Sequence, residues 1–463
     1  MKLTHSHRRK ARIVALTTGA GALVAAMLAA APGAPEASAA PARTQVIQQS
    51  GPLSAPPTTA QCEKLYGFAC YQPSQLRAMY HLPALYRDNI TGKGTTIAIV
   101  DSFGSPTIQR DLRVFDRAFG YPAPPSFTAI APAGKIPAYN ASDPAMIAAA
   151  GETTLDVDYA HALAPGASIL LVETPVAETE GITGFPQIVA AEKYVIDRGL
   201  ADVISQSFNA TEPTFTSYQQ LEPLRAAYLD AYAHQVTVLA SAGDSGVTGP
   251  DAQGAYYPYP VTSWPDSDPL VTAVGGTQPG PGRGQSAPVA WNQTYVPAVS
   301  QYVAGDAGPN PAASGGGKSE FFARPRYQDG VRDVVGDQRG VPDISMDAAF
   351  VMGYHSFGGL PSGWSLAGGT SESTPEFAAI VALADQVAGH PLGLLNPRLY
   401  ALSARHAPGI VDVTSGSNTV TFQQGTTSNL VTVPGYPART GYDLVTGIGT
   451  INGPYFVDEL AGR

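Results

Sequence analysis

The chain has 463 residues, of which 44% are hydrophobic and only 14% charged, with a formal net charge of -10 and a pI near 5.2. That length and apolar content suffice for a packed core, in one large α/β domain or two average ones. The acidic balance, with no basic patch, excludes nucleic acid as a partner. Its 49 Gly and 41 Pro point to many turns on a rigid scaffold. Sparse Lys and Arg would limit repulsion once the carboxylates are neutralised, which suits an acid setting.

In chain order, Arg8, Arg9, Lys10 and Arg12 precede an apolar stretch over 13–31, and Ala37-Ser38-Ala39 follows as a small-x-small cleavage site. Residues 1–39 therefore read as a secretory signal peptide, and the mature chain as exported and free of any membrane span. Residues 40–70 are rich in Pro, Ala, Ser, Thr and Gln and read as a short flexible segment. Within it Cys62 and Cys70, the two cysteines of the chain, can pair in an oxidising compartment and clip a short loop. The remainder, 71–463, reads as one domain.

Pro73 opens a predicted helix carrying Leu76, Met79 and Tyr80. Residues 95–100 (Thr-Thr-Ile-Ala-Ile-Val) form an unbroken apolar, β-branched run, the pattern of a strand buried on both faces. Runs at 167–172, 201–205 and 236–240 repeat it, with helical stretches at 185–198 and 221–233 between them. Such alternation predicts right-handed βαβ units and a parallel sheet covered by helices. Sites in such sheets gather at the carboxyl ends of strands, where Asp101, Phe208 and Asp244 fall. Residues 250–345 are loop-rich.

Four segments can carry chemistry. In Gly369-Thr370-Ser371-Glu372-Ser373-Thr374-Pro375 a serine sits among small residues at the start of a predicted helix. The helix dipole there would favour an anionic oxygen, although a Ser or Thr in this place also serves as an ordinary N-cap. A nucleophilic serine needs a base. None of the eight histidines stands in a His-Gly-Thr setting, and His161 reads as structural. Glu152 and Asp156, one helical turn apart, offer a carboxyl pair that shares a proton, and a carboxylate can serve as base at pH values where histidine is already protonated. An exposed acidic first turn is the plainer alternative. Gly243-Asp244-Ser245-Gly246 places an acid in a tight turn, where it is either a turn former or, if kept neutral, a hydrogen-bond donor to an oxyanion.

Taken together, Gly-Gly-Thr-Ser-x-x-x-Pro at 368–375, Glu152-x-x-x-Asp156, Ala242-Gly243-Asp244-Ser245-Gly246, Ser314-Gly315-Gly316-Gly317 and Pro342-Asp343-Ile344-Ser345 resemble, in content and order, the sedolisins, the serine-carboxyl peptidases of kumamolisin type. The resemblance runs from about residue 71 to the C-terminus. It implies an α/β, subtilisin-like fold with a central, mostly parallel sheet covered by helices on both faces. It implies Ser371 as nucleophile, Glu152 as base, Asp156 as its orienting partner and a protonated Asp244 facing the oxyanion. Asp101 matches an acidic position that extends the proton network, and Phe208 stands where kumamolisin has Trp. It further implies one structural calcium held by the Asp412 and Asp443 side chains and the Val413, Arg439 and Gly441 carbonyls, all hard oxygen donors. Arg439 replaces the usual Gly, and 417–435 lengthen the intervening loop. Only about thirty residues stand where the family carries a long prosegment. The expected function is secreted acid endopeptidase action on proteins or peptides by a monomer. The alternatives are a tripeptidyl-peptidase, a catalytically silent binding protein on the same scaffold, and an esterase, which would need a Gly-x-Ser-x-Gly elbow that Ser371 lacks.

Overall fold

The computed structural model describes residues 53–280, 287–304, 308–424 and 429–463. The expected signal peptide, and the lead-in up to residue 52, lie outside them. Strands β1 (Thr96–Ser102), β2 (Phe127–Ile130), β3 (Ser168–Thr174), β4 (Val203–Gln206), β5 (Thr237–Ser241), β6 (Thr272–Pro279), β7 (Pro288–Ala290) and β8 (Ile344–Asp347) make one sheet. Its order is β8-β6-β5-β4-β1-β3-β2, every neighbouring pair parallel, with β7 antiparallel on β6. All four predicted apolar runs are strands. Each continues one or two residues past its run, because it ends on polar residues such as Asp101, Ser102, Glu173 and Ser241 that apolar patterning does not count.

The helices are α1 (Thr59–Tyr66), α2 (Pro73–Met79), α3 (Ile108–Phe119), α4 (Pro144–Leu163), α5 (Phe185–Asp197), α6 (Ala226–His234), α7 (Thr370–Ala388) and α8 (Gly453–Ala461), among shorter ones. Side chains alternate across a strand, so each strand feeds two cores. Ile97, Ile99, Ile169, Leu171 and Leu239 join Leu155, Val157, Phe377 and Ile380 of α4 and α7. Ala98, Val100, Leu170, Val172 and Ile204 join Phe185, Ile188, Val195 and Tyr228 of α5 and α6. Helices thus cover both faces, the architecture expected. The helix expected over 221–233 is broken at Pro223, where a short turn ends at Leu221 and α6 starts at Ala226.

The α4 and α7 helices pack against each other on the first face. From Ala150 to Leu163 every residue of α4 is buried, and so is nearly all of α7. A helix buried all round cannot show an amphipathic stripe, so Glu152 and Asp156 lie in the interior of α4 and not in an exposed first turn.

Packing begins earlier than residue 71, which corrects the expectation of flexibility up to residue 70. Thr58 caps α1 through a capping box with Gln61, Cys62 bonds to Cys70, and both cysteines and Phe68 are buried in the α4–α7 core. The polar composition of this segment hides its three buried anchors.

Candidate active site

Position 101 has the parity of Ile97 and Ile99, so Asp101 emerges at the carboxyl end of β1 toward α4. There it meets the carboxyls of α4, where Asp156 is fully buried and Glu152 nearly so. Burial pushes Asp101 up to about 7, opposed by the Thr153 hydroxyl and reinforced by the charges of Glu178 and Glu173. Burial also holds Asp156 well above the usual carboxylate range, the charges of Asp101 and Glu152 add to this, and the Ser207 hydroxyl opposes it. Three carboxyls therefore share one desolvated pocket, and protons stay on it at pH values where free carboxyls ionise.

Ser371 is the second residue of α7. Its hydroxyl donates to the Ser207 carbonyl at 3.4 Å, and the Ser207 hydroxyl donates to the Ser371 carbonyl at 3.2 Å. Ser207, which follows β4, thereby ties the start of α7 to the Asp156 side of the acid pocket. At 3.4 Å the bond on the Ser371 hydroxyl is long for O–H···O and restrains it weakly.

Asp244 approaches from the turn after β5. Its Oδ1 accepts from the Thr370 amide at 2.7 Å and the Thr370 hydroxyl at 2.8 Å, one residue before Ser371. The Gly243 amide in turn donates to the Thr370 hydroxyl at 3.1 Å. Gly369 has φ +121°, and a Cβ there would collide with the Asp244 carboxyl, so only glycine lets the acid lie against the helix start. Burial raises Asp244 to about 6 even against the two bonds from Thr370.

Other expected residues lie elsewhere. His161 is buried with Nε2 2.8 Å from the Pro122 carbonyl and 3.2 Å from the Asp116 carboxylate, a structural setting. Phe208 turns into the opposite core, edge-on to Phe185 with centroids 6.1 Å apart, and extends no polar network. At the far end of Asp101 stand instead Ser102 and Glu178, whose side chains are hydrogen-bonded to each other.

In the C-terminal loops Gly441 donates its amide to Asp412 Oδ2 at 2.9 Å, and Arg439 donates to Asp443 Oδ2 at 2.8 Å. Asp443 Oδ1 accepts from the Val445 and Thr446 amides at 3.0 and 2.8 Å. Backbone amides of the 439–441 turn thus hold the two carboxylates in one place, with N–H groups directed at their oxygens. Among the described residues no three acidic, histidine or cysteine side chains cluster as a metal site, so an ion here would depend on the carbonyls of Val413, Arg439 and Gly441.

Ser207, the Thr370–Asp244 contact and Glu178 carried no motif in the sequence. Neither did a second acid group behind Ser371. Glu372 and Glu376, one turn apart on α7, are fully buried with Asp347 of β8. Tyr80 donates to Glu376 Oε2 at 3.3 Å and accepts from the Asp347 amide at 2.6 Å. Burial raises all three acids, Asp347 to about 8, with their mutual charges adding for Glu372 and Glu376. Two glutamates inside an otherwise small and apolar helix were the signal available for finding them.

A model of the subtilase family (Peptidase S8) matches residues 141–426, which is more than half of the chain. The chain belongs to the subtilase family. Within it the chain is of the sedolisin, kumamolisin-like type. It is 29% identical to kumamolisin of Bacillus sp. (strain MN-32), over 82% of this chain and 62% of the relative. It is also 29% identical to tripeptidyl-peptidase 1 of Mus musculus, over 84% of this chain and 64% of that one. The chain spans less than two thirds of these relatives' length. The solved structure of Pseudomonas sedolisin, a serine-carboxyl proteinase complexed with two molecules of pseudo-iodotyrostatin, superposes with a TM-score of 0.67 at 25% identity, covering 85% of this chain and 98% of that one.

Proposed function

We propose that this subtilase is a secreted serine-carboxyl peptidase that cleaves proteins internally at acid pH, with Ser371, Glu152, Asp156 and Asp244 as its machinery. The observation that carries the reading is the convergence at the start of α7. Asp244 is fixed on Thr370 beside Ser371, while Ser207 ties the same turn to a buried pocket of three carboxyls. With Asp101 and Asp156 holding protons, the negative charge of that pocket can rest on Glu152, which acts as base.

Glu152 takes the Ser371 proton as Oγ bonds to the scissile carbonyl carbon, and the carbonyl oxygen becomes an oxyanion. Protonated Asp244 donates a hydrogen bond to that oxyanion and keeps its proton. Glu152 then returns the proton to the leaving amine as the C–N bond breaks, and an acyl-enzyme remains. A water molecule repeats the sequence: Glu152 accepts its proton, its oxygen attacks the acyl carbon, and the proton returns to Ser371 Oγ as the acid departs. Asp244 donates only below about pH 6, where its proton stays on, so the site works in acid.

Export follows from the charged-then-apolar N-terminus, and no described helix is long and apolar enough to cross a membrane. The gathered carboxylates Asp412 and Asp443 support one structural calcium. We favour internal cleavage and a monomer on the sequence reading alone.

The test is digestion of a denatured protein at about pH 4 and about pH 8 by wild type and by Ser371→Ala. Acid-limited cleavage that disappears in Ser371→Ala is expected, with a loss of about 10⁶-fold for removal of such a nucleophile. Equal digestion by the two proteins, or an optimum near pH 8, contradicts the reading.

A further inference from the structure

A cavity of about 200 Å³ opens beside the acid pocket, lined by Phe103, Ile136, Tyr139, Met146 and Glu173 among others. Its position follows from the sheet. Glu173 of β3 is in register with Asp101 of β1, and neighbouring strands place paired residues on the same face. Met146 lies in the first turn of α4, six residues before Glu152, or about 9 Å along the helix axis. The cavity is therefore an apolar recess at the carboxyl end of the sheet, adjoining the proposed machinery.

Two features mark it as built for a ligand. Phe103 holds φ +57°, a left-handed backbone that a bulky side chain adopts only under strain, and its amide donates to the Thr174 carbonyl at 2.9 Å. Strain of this kind collects at functional positions, and here it turns an aromatic ring into the wall of the recess. The second feature is Glu173. It is half-buried, burial alone raises its carboxyl, and no ion pair or hydrogen bond holds it among the described residues. Gly104, at φ +68°, leaves the space that the carboxyl occupies, since a Cβ there would strike it. On its other side Glu173 borders a depression that includes Arg110, which is engaged with Ser356. An unpaired carboxylate at the edge of an apolar, aromatic recess matches a long aliphatic chain ending in a cation.

We propose that this recess is a substrate subsite for a lysine or arginine side chain, and that Glu173 is the residue that selects it. The proposal rests on the peptidase reading. The walls, Phe103 and Tyr139 among them, take the methylenes, and Glu173 receives the charge.

The experiment compares peptides that differ at one position, Lys against its neutral near-isostere norleucine, scanned through the positions on both sides of the scissile bond. The readout is the Lys-to-norleucine ratio of kcat/KM, followed from acid up to about pH 6, because burial raises the Glu173 carboxyl and its charge, and with it the ratio, should grow as pH rises through that range. Wild type is expected to favour Lys at one position, and Glu173→Gln to lower that ratio about tenfold, the value of one charged hydrogen bond. Ile136→Lys, which tethers a cation in the recess from a surface segment, is expected to lower the same ratio. A residue with a merely structural role would depress both rates and leave the ratio alone. A wild-type ratio near one at every position, or a preference that survives both variants, overturns the subsite and leaves the peptidase standing. Failure of wild type to cleave any peptide in acid overturns the peptidase reading and the subsite with it.

Discussion

Two helices of this molecule carry buried carboxyls one turn apart, and the two pairs differ in what surrounds them. Glu152 and Asp156 of α4 face Asp101, Thr153 and Ser207, and through Ser207 they connect to Ser371 and the cleft. Glu372 and Glu376 of α7 face Asp347, Tyr80 and Tyr159, with Asp244 beyond. The first pair lies beside the Ser207 and Thr153 hydroxyls, whose effect on Asp156 and Asp101 is to favour the ionised form, and on the proposed reading it has a substrate to pass the proton to. The second is backed by acids, whose charges with burial disfavour ionisation and outweigh the hydrogen bond that Tyr80 donates to Glu376. If the proposed mechanism holds, the same spacing yields a base in one place and a neutral, proton-holding plug in the other. Surroundings, not spacing, decide the role of a carboxyl pair.

The same isosteric change in each pair separates them most sharply. Glu152→Gln is expected to lower kcat by about 10⁴-fold, the scale for loss of a proton-transfer partner, while leaving the melting temperature close to wild type. Steady-state assays at about pH 4 on both Gln variants measure it. A Glu152→Gln enzyme as active as Glu372→Gln would erase the distinction.

Next in size is Asp244. Asp244→Ala removes the proposed oxyanion donor and should cost about 10²- to 10³-fold in kcat. Asp244→Asn restores a donor that needs no proton. Since Asp244 titrates at about 6, the alkaline limb of the wild-type profile should lie there and move toward neutral pH in Asp244→Asn. A limb that stays in place would assign it to another group, such as Asp101 at about 7.

A third pair, Asp412 and Asp443, is gathered by backbone amides and, among the described residues, joins no cluster of three acids. If calcium binds there, a chelator should remove about 2.7 kcal/mol at an ion concentration of 100 times Kd, seen as a melting temperature lower by several degrees. In Asp412→Ala the chelator should have no further effect. A wild-type melting curve indifferent to chelator and to added calcium rules the ion out.

The sheet and its order of elements were legible because buried parallel strands leave unbroken apolar runs, as at 95–100. Ser371, Glu152 and Asp244 were visible because motifs mark them. What composition could not reveal was depth. A chain rich in Pro, Ser and Thr concealed Cys62, Phe68 and a capped α1, because three anchors suffice to pin a short segment. Glu372, at an unspecified position of the 368–375 motif, and Glu376, just after it, carry no mark of their depth beyond their place in an apolar helix, since burial is a property of the α4–α7 contact and not of either helix alone. Ser207 and Glu173 matter through neighbours more than sixty residues away in sequence, a separation that no local pattern spans.

The smallest expected effect tests the plug itself. In the unfolded chain Glu372 and Glu376 ionise near pH 4.3. In the folded protein burial keeps the protons on well above that value, with the charges of Glu376 and Asp347 adding for Glu372 and that of Asp347 for Glu376. Between the unfolded and folded pKa values the folded state binds more protons, so the stability these groups contribute is complete below the unfolded value and declines as pH rises toward the folded one. The pair should therefore make α7, and with it Ser371, secure in acid and vulnerable in alkali. Glu372→Gln keeps the size and hydrogen-bonding capacity of the side chain but cannot ionise. It should raise the alkaline midpoint of unfolding, followed by circular dichroism on the Ser371→Ala background to prevent self-digestion, by about half a pH unit. Glu152→Gln, whose partner pocket is relieved by hydroxyl donors, should move that midpoint less. A Glu372→Gln midpoint equal to or below the parent's would show that some other group sets the alkaline limit and that α7 carries its buried acids at no cost to stability in alkali.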